Sequence, residues 1–233
     1  MIKPLVVPAC VLLASTLVLS ACKKPEPPSE TTPAAAPAAT TPPASAPAET
    51  PPAEPTAEQR EAAQKQAKIQ RALDNQKILD DPQGQWATGA TASSTYATAI
   101  PTSEQSWAAT QATGAPDAEN TSGDKQGWSP EKANAGIEWL DLTYDKPVSA
   151  SAVRVRQTYG PGAIIKVELV DEAGARHTVW EGADNDAYDG GEINWFQRSF
   201  DPTTYKAKGV RLTLATNAIS NRVSIDAVQL VGQ

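Results

Sequence analysis

The chain has 233 residues, with 20 Lys and Arg against 27 Asp and Glu and a formal net charge of -7. That acidic balance speaks against nucleic acid, which requires clustered Lys and Arg to displace counterions. Only 2 cysteines are present, too few for a disulfide framework, and no apolar run beyond residue 22 reaches membrane-spanning length.

The first residues have the layout of a secretion signal: Lys3, an apolar stretch over 5–19, then the small residues Ser20 and Ala21 before a cysteine. The stretch is shorter than the roughly 20 residues of a permanent membrane helix, and Pro4 and Pro8 interrupt it. Leu19-Ser20-Ala21-Cys22 resembles the lipobox of bacterial lipoproteins. The resemblance implies a signal peptide over 1–21 and lipidation at Cys22. Several acyl chains on one residue hold a protein firmly, since each buried CH2 contributes about 0.8 kcal/mol. Lys23, where Asp would retain the protein at the inner membrane, points to the outer membrane, on its periplasmic side or at the cell surface. Cys10 leaves with the leader and Cys22 lies under the lipid, so no thiol remains for a disulfide, a zinc site or a nucleophile.

The lipidated cysteine opens a tether over 22–56. Its residues 23–56 hold eleven of the 20 prolines and no aromatic residue. Such a composition cannot bury enough apolar surface to order itself. Extended as polyproline II at about 3.1 Å per residue, it spans roughly 100 Å. Residues 57–81 lose Gly and Pro and become rich in Ala, Gln, Glu, Lys and Arg, ending at Pro82, which predicts one helix. Its apolar stripe is thin (Ala62, Ile69, Leu73, Leu79), and Gln66, Gln76 and Asp80 break a coiled-coil seam. The expectation is a monomer whose helix is a solvated stalk or leans on the domain.

Residues 85–233 carry all 6 tryptophans and all 5 tyrosines and are of a normal size for one core. Period-two alternation places Leu140, Leu142 and Tyr144 on one face, Val153 and Val155 inward with Arg154 and Arg156 outward, and then Ile165, Val167 and Leu169. Val210, Leu212 and Leu214 follow, with Val228 and Leu230 in a last strand. Short strands separated by Gly, Pro and Asp turns indicate an all-β antiparallel sandwich.

Several stretches carry a family resemblance. They are Ala112-Thr113-Gly114-Ala115-Pro116-Asp117, Glu138-Trp139-Leu140-Asp141-Leu142, Thr158-Tyr159-Gly160-Pro161-Gly162, Thr178-Val179-Trp180-Glu181-Gly182 and Ser224-Ile225-Asp226-Ala227-Val228. In this order they resemble the discoidin-type (coagulation factor 5/8 C-domain-like) members of the galactose-binding-like superfamily. The resemblance implies a jelly-roll sandwich with its chain ends together at one end and binding loops at the other. It implies ligands among sugars, phospholipids or proteins, and a structural calcium near the first loops, where Asp117 and Asp124 fall. Calcium takes six to eight oxygens, so two carboxylates are a bare beginning.

The domain's one histidine, His177, lies in a strand-like run without the converging partners of a triad or a metal site. The acidic stretch from Asp184 to Glu192 fails as an EF-hand, with Tyr188 at a ligand position and Asp189 where glycine must turn. It reads as a solvated loop rather than a source of glycosidase acids. The expectation is therefore a non-enzyme. Loop-like aromatics are the candidate ligand contacts, because sugar C–H faces stack on them: Trp107, Trp128, Tyr159 and Tyr188, with Asn194 and Arg198 as polar partners. Trp139, Trp180 and Trp195 lie in strand-like runs and are assigned to the core. The leading functional reading is a membrane-tethered module recognising a glycan, peptidoglycan or another envelope component. The rival is an assembly lipoprotein docking an envelope protein through its sandwich.

Overall fold

A computed structural model describes residues 54–96, 107–121 and 126–233. Cys22, Asp124 and most of the expected tether lie outside these. Helix α1 spans Ala57–Leu79. A capping box starts it: the Thr56 hydroxyl accepts from Gln59 N at 3.2 Å, and Gln59 Oε1 accepts from Thr56 N at 2.8 Å. Glu58 in the first turn and Lys77 in the last suit the helix dipole.

Nine strands follow: β1 Gly84–Trp86, β2 Gly89–Ala92, β3 Ile137–Val148, β4 Ala150–Tyr159, β5 Ile164–Asp171, β6 Arg176–Glu181, β7 Asn194–Ser199, β8 Ala207–Ala215 and β9 Ser224–Gly232. They build two sheets, ordered β1-β9-β4-β7 and β2-β3-β8-β5-β6, with every pairing antiparallel. The architecture is an all-β antiparallel jelly-roll sandwich preceded by one helix.

The inward faces are those the alternation predicts in four strands. Leu140, Leu142, Val153, Val155, Val210, Leu212, Leu214, Val228 and Leu230 are buried, together with Tyr144. In β5 the pattern slips. Ile164, not Ile165, faces inward, because the register with β8 shifts between Ile164 and Lys166 and one extra residue reverses every face upstream of it. The tryptophans are also redistributed. Trp128 fills the core, while Trp180 packs at its margin, edge-on to Phe196 at 5.2 Å. Trp139 and Trp195 are only part-buried, on outward positions. Trp139 lies under the Arg211 guanidinium at 4.3 Å, and Trp195 lies 6.4 Å from Trp86. Their strands alternate, so a tryptophan beside an inward Leu140 or Phe196 must point out.

All nine residues of β9 are buried, and the end of α1 caps its outer face at Gln229. Gln229 Nε2 donates to the Ile78 carbonyl at 3.0 Å, and Arg154 Nη1 bridges Gln229 Oε1 at 2.8 Å and Asp81 Oδ2 at 2.7 Å. Burial opposes the charge of Asp81, but the Gln83 N–H and Arg154 more than offset it and hold the carboxyl below its usual range. Gly84 makes this crossing possible: a Cβ there would sit 2.3 Å from Gln229 Nε2. Helix and sandwich thus belong to one compact unit, residues 54–233.

The chain ends of the sandwich meet, with Gly232 N bonding Gln83 O at 3.1 Å and Gln233 N bonding Ser149 O at 3.2 Å. The opposite end gathers the β4–β5, β6–β7 and β8–β9 connections, with Thr121 beside them.

Candidate functional site

A cleft of about 140 Å3 opens at this loop-rich end. The β4–β5 turn supplies Tyr159 and Gly160, the β6–β7 loop supplies Tyr188 and Glu192, and Asn221 comes from the β8–β9 connection. Tyr159 is 39% exposed. Gly160 has φ 55, and a Cβ on it would lie 2.3 Å from the Arg222 carbonyl oxygen, so only glycine lets the turn lean on the β8–β9 connection.

The β6–β7 loop is built rather than merely solvated. The Asp184 side chain is fully enclosed and accepts from the Tyr188 hydroxyl at 2.5 Å and Arg198 Nη2 at 3.1 Å. Burial, reinforced by Asp184, keeps the Tyr188 phenol protonated well above the usual tyrosine range. Arg198 also bonds Asp186 at 2.7 Å and lies over the Phe196 ring at 4.0 Å. Asn194 Nδ2 donates to the Asp189 and Glu192 carbonyls at 3.1 and 2.8 Å, and its Oδ1 accepts from Asp189 N at 3.2 Å. The reading of this stretch as a solvated loop therefore holds only for its crest. Its base is a buried ionic cluster.

Of the six ligand-contact candidates, Tyr159, Tyr188 and Asn194 come together in the cleft. Asn194 is occupied in shaping the loop, and Arg198 is a strut beneath it. Trp128 is a correction. It is 0% exposed, its Nε1 donates to Ser94 O at 3.0 Å, and its backbone bridges Ile225, so no ligand reaches it. Trp107, at φ 55, meets the Tyr96 ring edge-on at 5.1 Å and is not among the cleft's lining residues. Thr121, Thr158 and Asn221 also line the cleft and were not singled out from sequence. Only the Gly190-Gly191 pair next to Tyr188 hints at a ligand-approachable backbone.

Of the two calcium candidates, Asp124 lies outside the described residues and only Asp117 can be placed. Arg156 donates to Asp226 and, at 2.9 Å, to the Ala118 carbonyl, so the Asp226 carboxylate already has a cationic partner. The Asp117 backbone turns toward Asp226, with 3.4 Å from its N–H to Oδ1, while its own side chain belongs to an exposed residue. Among the described residues no three His, Cys, Asp or Glu converge on a metal position. His177 bonds Asp171 at 2.8 Å and stacks on Tyr205 at 3.9 Å, toward the end away from the cleft. The bond from His177 holds the Asp171 carboxyl low.

The sandwich with its loop-end cleft defines a jelly-roll module. Residues 77–233 match the family described as PAPPA: Pappalysin-1, SD scarf domain, C-terminal. The chain belongs to that family. No curated protein matches it. Among solved structures, it is similar to an F5/8 type C domain from Bacteroides fragilis, at 16% identity and TM-score 0.47, covering 65% of this chain and 98% of that one. It is also similar to the family 32 module of C. perfringens NanJ in complex with galactose, at 16% identity and TM-score 0.43, covering 63% and 98%. The lectin domain of lectinolysin complexed with Lewis B antigen is similar at 19% identity and TM-score 0.39, covering 62% and 92%.

Proposed function

We propose that this chain is a non-catalytic recognition module whose loop-end cleft binds a single unit of a glycan of the cell envelope. One observation carries the reading: Tyr159 and Tyr188 share one concavity with Asn221, Thr121 and Thr158. Aromatic surface beside amide and hydroxyl groups is what a sugar ring presents complements to. The cleft is smaller than the roughly 300 Å3 at which drug-sized sites begin, which suits one ring. Among the described residues its lining includes Asp189 and Glu192 and no Lys or Arg, so a neutral or amino sugar is favoured over a sialic or uronic acid. Lipid anchoring through Cys22 to the outer membrane belongs to the same proposal and rests on the lipobox. No helix among the described residues is long and apolar enough to cross a membrane.

The test is a glycan array and a peptidoglycan pull-down with purified protein and its Tyr159→Ala variant. Binding of a neutral or amino sugar, lost in the variant at unchanged melting temperature, supports the reading. Exclusive capture of an envelope protein, with no glycan bound, overturns it. For the anchor, Cys22→Ser is expected to leave the protein soluble, and continued membrane association after signal cleavage contradicts the lipid assignment.

A further inference from the structure

Helix α1 is tied to the sandwich at two places, and a groove lies between them. At its C-terminal end Ile78 is buried and its carbonyl is bonded by Gln229. Two turns earlier, Arg71 pairs with Asp189 and reaches Glu192 at 3.6 Å, on the crest of the β6–β7 loop. The groove between α1 and β7 has a volume of about 410 Å3 and is lined by Ala67, Gln70, Asn75, Trp195 and Gln197, among others. Asp189 and Asn194 line both this groove and the loop-end cleft, so the two meet across a single loop.

The chemistry of the two concavities is continuous. In the groove, the side-chain amides of Gln70, Asn75 and Gln197 line the same concavity as the Trp195 side chain. The charges at its border are already spent within the protein, Arg71 on Asp189 and Asp74 on Lys77 at 2.8 Å.

We infer that the α1–β7 groove is a second subsite of the same binding site, holding further units of a neutral or amino-sugar chain whose first unit occupies the Tyr159–Tyr188 cleft. This rests on the glycan reading proposed above and extends it: the ligand is a polymer, and α1 is part of the receptor rather than a spacer. Ala67, an exposed helix position on the groove wall, is where the groove can be filled without touching the core.

The experiment titrates the full chain with N-acetylglucosamine and its β-1,4-linked dimer to hexamer, in wild type, Ala67→Trp and Gln197→Ala. The expected result is at least tenfold tighter binding of the tetramer than of the monosaccharide, more than the fourfold that four equivalent registers supply. Ala67→Trp brings the tetramer back to within that fourfold of the monosaccharide and leaves monosaccharide affinity and melting temperature unchanged. Gln197→Ala, at an exposed strand position, weakens only the oligomers and decides the matter should Ala67→Trp perturb folding. Monosaccharide binding with no length dependence, or length dependence that survives both substitutions, overturns the second subsite and leaves the cleft reading standing. Failure of monomer and oligomers alike overturns the cleft reading for this sugar class and the subsite with it.

Discussion

Asp184→Ala is the substitution that tests whether the β6–β7 wall of the cleft is held as described. The carboxylate is fully enclosed and receives the Tyr188 hydroxyl and Arg198 Nη2. Hydrogen bonds to charged groups contribute about 1.5–3 kcal/mol each. The two do not simply add, because Arg198 keeps Asp186, a partner 46% exposed and hence weak. We expect a loss of about 3 kcal/mol for Asp184→Ala. Asp184→Asn, which retains shape and one acceptor for Tyr188 but surrenders the charge facing Arg198, should lose about half as much. The assay is urea unfolding followed by tryptophan fluorescence. With m about 2 kcal/mol/M, the midpoint should fall by about 1.5 M for the alanine variant. A loss below about 0.5 kcal/mol for Asp184→Ala, within the range of ordinary surface changes, would refute the claim that this cluster holds the loop.

Four further outcomes are expected. Trp128→Ala removes a fully buried indole and its bond to Ser94 O; a loss of about 3–5 kcal/mol in the same denaturation assay is predicted. Gly160→Ala places a Cβ against the Arg222 carbonyl at φ 55, which should cost at least about 1 kcal/mol and weaken glycan binding in titrations. The Asp81 carboxyl is depressed on folding, so its stabilisation is complete above the ordinary carboxylate value of about 3.9 and is lost as pH falls through the lower folded value. Asp81→Asn should flatten that acid limb of the stability curve while leaving its alkaline limb alone. Because Arg156 already supplies the positive charge beside Asp226, neither EDTA nor added calcium should move the melting temperature.

The sandwich was legible in the sequence wherever a strand has one wet face. Leu140, Leu142 and Tyr144, or Val210, Leu212 and Leu214, alternate with polar residues because only one side meets the core. The β5 assignment failed at Ile165 because a bulge is set by pairing with β8, which no local pattern encodes. In β9, Gln229 falls on the outward side of the Val228–Leu230 alternation and is buried, since its side chain bonds the Ile78 carbonyl at the end of α1. The helix start was readable in Thr56-Ala57-Glu58-Gln59, a capping box that the break in composition overshadowed. The cleft was half visible. Tyr159 and Tyr188 stood out as loop aromatics, but Trp128 shares that signature, and only the bridge to Ile225 places it inside. Asn221 and Thr121 carry no sequence signal, because their proximity arises from the folding of distant connections onto one end.

The direction of α1 has a mechanical consequence. Its C-terminal end lies over the middle of the four-stranded sheet and leads on to Gln83 at the end where the chain termini meet, while Arg71 reaches the crest beside the cleft. The helix begins at Ala57, fourteen residues before Arg71, or about 20 Å further out at 1.5 Å per residue. A pull on the chain before Thr56 therefore bears first on the surface ion pairs of Arg71 with Asp189 and Glu192 and only then on the network of Asp81, Arg154 and Gln229. Loaded this way, the helix peels from its outer end, and the groove opens while both sheets stay intact. The Arg71 contact acts as the weak link that parts before the sandwich does.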